Sequence, residues 1–176
     1  SQDQAPGGDL RPGAAAGGGE KVEITLGDNA GSGVPSVVLD TNVLVAAYWN
    51  KRSASAEIIG ACAEGRARLY YTRQIRGEVF LILRNIRASE GYRREVERLL
   101  RSGTEVAAPG RVSVVSEDPD DDKFLECAQI ARADYLVTND DHLLCLGRFD
   151  GTEIVKPSEF RRALERRRPG AEGWGP

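Results

Sequence analysis

Acidic side chains follow three stretches of the sequence that have the pattern of buried strands. Asp40 ends the first predicted strand, an acidic run at 118–122 follows a strand at Val112–Val115, and Asp140 follows a strand at Tyr135–Val137. Because the strands of a parallel sheet point the same way, the loops that follow them open on one edge. We therefore expect these acids to lie near one another.

Glu78 is a fourth acid, and it borders the apolar stripe of a predicted helix beside Val79. A carboxylate at a partly buried position is costly unless something neutralises it. One interpretation is an ion pair with a neighbouring arginine, either Arg73 or Arg76. The other is that Glu78 points into the same acidic hollow as Asp40.

Several carboxylates in one hollow require a cation. Two of them about 4 Å apart repel by roughly 4 kcal/mol at an effective dielectric of about 20. Mg²⁺ and Mn²⁺ prefer oxygen ligands of this kind. Such ions generate hydroxide from bound water and support an in-line phosphoryl displacement. The acids, beside a basic segment, thus suggest metal-dependent hydrolysis of phosphodiesters.

Helix phase selects one member of the acidic run. Asp121 lies one turn before Phe124, which belongs to the buried face of the following helix, so Asp121 is the predicted metal ligand. Asp118 precedes a proline and is predicted to hold the turn or support the site. Asp120 and Asp122 are predicted to be solvated charges that favour the N-terminus of the helix.

The elements that would position these acids alternate between strand and helix along the chain. This alternation predicts a three-layer α/β/α sandwich with a central, mostly parallel sheet. The predicted strands are 37–40, 69–71, 112–115, 135–137 and 152–155, with a weaker one at 22–26. The predicted helices are 43–49, 53–64, 72–85, 92–101, 120–132, 143–146 and 159–168, the fourth of them strongly charged and the last capped by Ser158.

Composition sets the domain limits. Residues 1–35 are rich in Gly, Ala and Pro, which bury too little apolar surface to offset the entropy of ordering, and are predicted to be a flexible tail. Residues 36–168 form the predicted domain, and 169–176 a second flexible tail. No apolar run approaches the roughly 18 residues of a membrane span, and no signal segment opens the chain. We therefore expect a cytoplasmic protein without a membrane partner.

The cysteines argue against a disulfide framework and against a zinc site. Cys62, Cys127 and Cys145 are odd in number and have no C-x-x-C spacing. All three lie in apolar helical patterns, which predicts buried thiols. His142 is the only histidine, which excludes a site built from several histidines. We expect it to face solvent.

Charge is distributed unevenly along the chain, although the net charge is only -3. Residues 51–101 hold 12 lysines and arginines against 6 acids, whereas residues 102–160 hold 5 against 13. A basic segment beside an acidic one is consistent with a metal site and a track for a polyanion. It is equally consistent with two solvated faces of opposite sign.

Four motifs in this order and spacing resemble the PIN domain, and the resemblance covers about residues 36–160. The nearest branch is the single-domain prokaryotic PIN proteins described as toxins of toxin–antitoxin systems. The motifs are Leu39-Asp40-Thr41-Asn42-Val43-Leu44, Glu78-Val79, Asp118-Pro119-Asp120-Asp121-Asp122-Lys123-Phe124 and Val137-Thr138-Asn139-Asp140.

The resemblance implies a ribonuclease that depends on Mg²⁺ or Mn²⁺ and cleaves RNA. It also implies a homodimer and, for a toxin, a neutralising antitoxin. The implied metal ligands or water-positioning groups are Asp40, Glu78, Asp121 and Asp140. Asn42 and Thr138 are implied to support them.

Other protein families share parts of this pattern. A phospho-acceptor receiver domain would share the acidic edge and the Lys156-Pro157 pair, but Tyr70-Tyr71-Thr72 stands where its acceptor Asp belongs. A phosphatase of the haloacid-dehalogenase type needs a second Asp at the place of Asn42. No Gly-rich phosphate loop precedes a Lys-Ser or Lys-Thr pair. The serious alternative is a catalytically silent PIN fold that binds RNA or protein.

Overall fold

The computed structural model describes residues 33–108 and 122–167 of the 176-residue chain. These residues form one sheet of six strands and seven helices. The strands are β1 (Ser36–Leu39), β2 (Arg68–Thr72), β3 (Thr104–Val106), β4 (Tyr135–Val137), β5 (Arg148–Phe149) and β6 (Thr152–Val155). The helices are α1 (Thr41–Trp49), α2 (Ala54–Ala63), α3 (Arg73–Asn85), α4 (Glu90–Ser102), α5 (Asp122–Ala131), α6 (Asp141–Leu144) and α7 (Pro157–Arg166).

The order of the strands reverses in the middle of the sheet. Across the sheet they run β3-β2-β1-β4-β6-β5, and all neighbours are parallel except the pair of β5 and β6. The chain proceeds outward from β1 through β2 and β3, then in the opposite direction through β4 and β6. In open α/β sheets, ligands bind outside the carboxyl ends of the strands at such a reversal. Here the reversal lies between β1 and β4.

Helices cover both faces of the sheet. Val37 and Val38 occupy consecutive positions of β1, point to opposite faces and are both fully buried. Helix α5 packs against β1, β2, β3 and β4, and α7 packs against β4. The architecture is therefore the expected three-layer α/β/α sandwich with a mostly parallel sheet.

The first residue of β1 is hydrogen-bonded to the residue that precedes β4. The backbone N–H of Ser36 donates to Asp134 Oδ2 at 2.8 Å, and the N–H of Asp134 donates to Ser36 Oγ at 2.9 Å. In register, Val37 lies opposite Tyr135 and Leu39 lies opposite Val137. The two strands therefore end level with each other.

Short polar side chains start several helices. Ser53 Oγ, Thr72 Oγ1 and Ser89 Oγ each accept a backbone N–H from the first turn of α2, α3 and α4, all at 3.2 Å. Such caps satisfy donors that have no partner within the helix. The prediction that Thr72 caps its helix is confirmed, and Val96, Leu99 and Leu100 of α4 are buried as expected.

Some predicted elements differ from the structure. Strands β3 and β5 were not predicted, because they are short and two of the three residues of β3 are exposed. Helix α7 begins at Pro157 with Lys156 as its N-cap, so the predicted cap by Ser158 is wrong. Proline suits the first position of a helix because its missing N–H would lack a partner there anyway.

The prediction of three buried thiols is correct for two cysteines. Burial raises the pKa of Cys62 and of Cys127 to about 12. Cys145 is exposed because α6 ends at Leu144, before the apolar pattern does. His142 is exposed as predicted.

Several predictions lie outside the described residues. They are the strands at 112–115 and 22–26, the tail at 169–176, and all but the last residues of the tail at 1–35. The domain limits at 36 and 168 stay predictions. None of the described helices is long and apolar enough to cross a membrane.

Candidate active site

Asp40 lies at the carboxyl end of β1 and begins α1. Its side-chain Oδ1 accepts the backbone N–H of Asn42 at 3.1 Å, and its own N–H donates to the carbonyl of Val137 in β4 at 2.9 Å. The side chain of Asp40 is only 3% exposed. The strand pattern thus delivers a carboxylate into the interior, and the helix cap fixes its orientation. Asn42 supports Asp40 through its backbone, while its side chain is exposed.

Thr138 connects Asp40 to Asp140. The hydroxyl of Thr138, which is fully buried, donates to Asp40 Oδ2 at 2.7 Å and accepts the backbone N–H of Asp140 at 2.9 Å. Asp140 in turn caps α6, because its Oδ1 accepts the N–H of His142 at 2.9 Å. The level ends of β1 and β4 bring these residues together, as the sequence predicted for the two acids.

The charges of two further acids act on the buried carboxylate of Asp40. Burial raises the pKa of Asp40 above its ordinary value of 3.8, and hydrogen bonds from Thr138 and Asn42 offset part of that rise. The negative charges of Asp140 and Glu78 raise it further. No lysine, arginine or histidine among the described residues forms an ion pair with Asp40.

Glu78 has a cationic partner that the sequence did not reveal. Lys123 Nζ lies 2.5 Å from Glu78 Oε2, within ion-pair distance. The predicted alternative of a pair with Arg73 or Arg76 is wrong, since Arg76 pairs with Glu105 at 3.1 Å. Glu78, whose charge acts on Asp40, is therefore paired with a lysine of α5.

Of the acidic run at 118–122, the structure describes only Asp122. Asp118 and Asp121 lie outside the described residues, so their assignments stay predictions. Asp122 is buried, with 8% exposure, which corrects the prediction that it is solvated. It occupies the first turn of α5 together with Lys123, on a helix whose next turns pack against the sheet.

Comparison with protein families identifies a domain family for this chain. The model of the PIN domain matches residues 36–142, which is more than half of the chain. The chain belongs to the PIN domain family. A comparison with curated proteins gives no match. The PIN domain is a nuclease-type fold, and its members are generally hydrolases of nucleic acids.

The donor chemistry at this PIN site fits a hard divalent cation. Asp40, Asp140 and Glu78 offer only oxygen atoms, and Asp40 is buried without a neutralising cation in the described part of the chain. Mg²⁺ and Mn²⁺ prefer this type of ligand. No group of three or more His, Cys, Asp or Glu side chains within 33–108 and 122–167 is arranged to hold a metal ion. The predicted fourth acid, Asp121, falls outside those ranges.

Proposed function

We propose that this PIN domain is an endoribonuclease that depends on Mg²⁺ or Mn²⁺. The observation that carries the proposal is the buried carboxylate of Asp40 at the reversal of the sheet, joined through Thr138 to Asp140 and lacking an ion-pair partner among the described residues. A buried charge without a partner costs several kcal/mol, on the order of the effective penalty for one buried ion. A site that tolerates this cost is a candidate for binding a cation.

The chain would hold the ion through Asp40 and Asp140, with Glu78 and Asp121 completing the oxygen ligands. A divalent ion at this place supplies an activated water and neutralises charge that develops on the scissile phosphate. Thr138 keeps Asp40 and the backbone of Asp140 in a fixed relation, which limits the reorganisation required when the site is filled.

Arginines on α3, on α4 and in the turn between them would contact the RNA backbone. They are exposed on the segment in which basic residues outnumber acids two to one, and they include Arg73, Arg84, Arg87, Arg93, Arg94, Arg98 and Arg101. Phosphate contacts of this kind supply affinity without sequence specificity. Arg161 and Arg162 of α7 are further candidates.

As part of the same proposal, the protein acts as the toxin of a toxin–antitoxin system, and it forms a homodimer neutralised by a cognate antitoxin protein. This step rests on the resemblance of the four motifs to single-domain prokaryotic PIN proteins. Finding a reading frame for a small DNA-binding protein beside the gene, and a complex of the two products, would support it.

A second candidate function has one specific observation in its favour. Glu78 is already paired with Lys123, and the described acids do not form a three-ligand group. In a catalytically silent PIN fold that binds RNA or protein, Glu78 would stay paired with Lys123 whether or not divalent ions are present. In that case removal of divalent ions would leave both its binding and its stability unchanged.

Cleavage of a labelled single-stranded RNA, with Mg²⁺ or Mn²⁺ and again with EDTA, separates the two candidates. We expect products only with the ion, and none from Asp40→Asn. Asp141→Asn is the matched control, because it removes an exposed carboxylate from the first turn of α6 and should leave cleavage unchanged. A DNA strand of the same sequence tests the preference for RNA. Equal cleavage by wild type and Asp40→Asn would reject the assignment.

A further inference from the structure

Lys123 lies in the first turn of α5 and reaches Glu78 on α3, more than forty residues earlier in the chain. Its side chain is 12% exposed, and that of Glu78 is 28% exposed. The ammonium also lies 5.2 Å from the centre of the Phe124 ring. A lysine this far from water is rare unless it is paired, and Glu78 is the carboxylate that it contacts.

The partner of Lys123 belongs to the acidic set. The charge of Glu78 acts on Asp40, together with that of Asp140. The ammonium neutralises one of these three negative charges, and it does so with a cation that belongs to the chain. The other acids have no such partner, because no lysine, arginine or histidine of the described ranges forms an ion pair with Asp40 or with Asp140.

We propose that Lys123 is a tethered counter-ion, a positioning residue that holds Glu78 when no metal is bound and competes with the metal for the same carboxylate. The proposal rests on the proposed metal site. Like charges repel, so an ammonium beside Glu78 weakens the attraction of the site for a divalent cation. Metal affinity is then set partly by how readily Glu78 exchanges one cation for the other.

Two properties of the chain follow from a tethered counter-ion. The metal-free fold keeps its acidic edge partly neutralised, so the domain does not require an ion in order to fold. Metal binding is correspondingly weaker than the same acids would give alone. Removal of Lys123 therefore moves the two properties in opposite directions, whereas loss of a purely structural contact would lower both.

The test measures Mn²⁺ binding by titration calorimetry and the melting temperature in EDTA and in Mn²⁺. We expect Lys123→Met to melt at a lower temperature in EDTA, to bind Mn²⁺ about tenfold more tightly and to gain more in melting temperature from Mn²⁺. Lys123→Arg, which keeps the charge, should stay near wild type in affinity. Lys51→Met removes an exposed lysine from the turn after α1 and is the matched control.

A double variant completes the cycle and covers the case in which Lys123→Met does not fold. Removing both partners leaves no buried charge without a neutraliser, so Glu78→Gln with Lys123→Met should regain stability in EDTA relative to Lys123→Met alone. On the Glu78→Gln background, loss of Lys123 should no longer tighten Mn²⁺ binding appreciably. The same tightening on both backgrounds would overturn the proposal.

The two proposals fail in different ways. Wild type that binds Mn²⁺ and cleaves RNA, with unchanged or weaker Mn²⁺ binding in Lys123→Met, would overturn the counter-ion and leave the nuclease intact. Wild type that neither binds Mn²⁺ nor cleaves RNA would overturn the proposed function and the counter-ion with it.

Discussion

At the scale of single residues, the site is a chain of hydrogen bonds attached to one carboxylate. Asp40 receives the hydroxyl of Thr138 and the backbone N–H of Asn42, and the same hydroxyl accepts from the backbone of Asp140. These bonds favour the ionised form of Asp40, yet burial and the neighbouring acids outweigh them. The site is thus preorganised and, without a cation, under electrostatic stress.

Replacement of Asp40 by Asn is expected to change how the metal-free fold responds to pH. A raised pKa means that the folded chain binds the proton more tightly than the unfolded chain. The contribution of Asp40 to wild-type stability then falls as the pH rises from the ordinary value of 3.8 through the raised pKa of Asp40. Asn carries no charge, so the difference in stability in favour of Asp40→Asn grows across that range. Each unit of raised pKa corresponds to about 1.4 kcal/mol.

Thermal unfolding in EDTA at a series of pH values measures this difference. The two proteins are expected to diverge as the pH rises, with the variant gaining on the wild type. If the difference in stability between the two proteins stays constant at every pH, the pKa of Asp40 is not raised in the folded chain.

Thr138→Val should weaken the site without removing any acid. The valine keeps the volume of threonine but offers neither a donor to Asp40 nor an acceptor to the N–H of Asp140, so about 1–3 kcal/mol of stability is lost. We expect RNA cleavage to fall about 10- to 100-fold, as for other groups that orient a metal ligand. Cleavage rates and denaturant unfolding measure the two effects. Thr138→Ser retains the hydroxyl and should lie near wild type; a defect as large as that of valine would point to packing instead.

At the scale of elements, the ends of parallel strands position the acids, and the helices hold those ends in place. Helix α3 carries Glu78 between its buried and exposed faces, with Ile75, Val79 and Leu83 buried against the rest of the domain. Leu81 of the same helix is 53% exposed. Leu81 therefore contributes little to the packing of α3, whereas Val79 and Leu83, two positions away on either side, are part of the core.

A matched pair of substitutions on α3 tests this orientation. Leu83→Ala empties a fully packed position and is expected to cost about 2–5 kcal/mol of unfolding free energy. Leu81→Ala removes the same atoms from an exposed position and should change stability by less than about 0.5 kcal/mol. Urea unfolding of both variants gives the comparison. Similar losses from the two would mean that α3 is rotated from the orientation described.

At the scale of the whole molecule, the charge of the domain is divided rather than uniform. The net charge of the chain is -3. The described arginines of α3 and α4 are nevertheless exposed, whereas Asp40 and Asp140 lie just after the ends of β1 and β4. A polyanion would meet the basic helices first and the acidic site only through a cation. The proposed function therefore predicts that RNA binding and RNA cleavage are separable properties.

Binding of RNA by Asp40→Asn in EDTA is expected to weaken steadily as salt is raised. Each phosphate contact releases about one counterion, so the logarithm of the affinity should fall linearly with the logarithm of the salt concentration. Exchanging Arg84 and Arg87 for Ser should flatten the slope, whereas exchanging Arg148, an exposed arginine already paired with Glu153, should not. An affinity that does not change with salt concentration would contradict the proposed contacts between these arginines and the RNA backbone.

The sequence predicted the features that depend on neighbours along the chain. The apolar run before Asp40, the cap at Thr72 and the stripe of α4 all appear as expected, because strand burial, capping and helical periodicity are local patterns. Strand β3 was missed because it is held by pairing with β2 rather than by its own pattern. The Lys123 pair was missed for a related reason: it joins distant helices, and nothing near Glu78 in sequence indicates it.

The partnership of β1 with β4 has a consequence for synthesis. The two residues that share the 2.7 Å contact, Asp40 and Thr138, are 98 positions apart in the sequence. A nascent polypeptide that ends before β4 contains Asp40, Glu78 and β2, but it lacks the strand that pairs with β1 on its other side. A growing chain therefore cannot assemble the site until most of the domain has been translated.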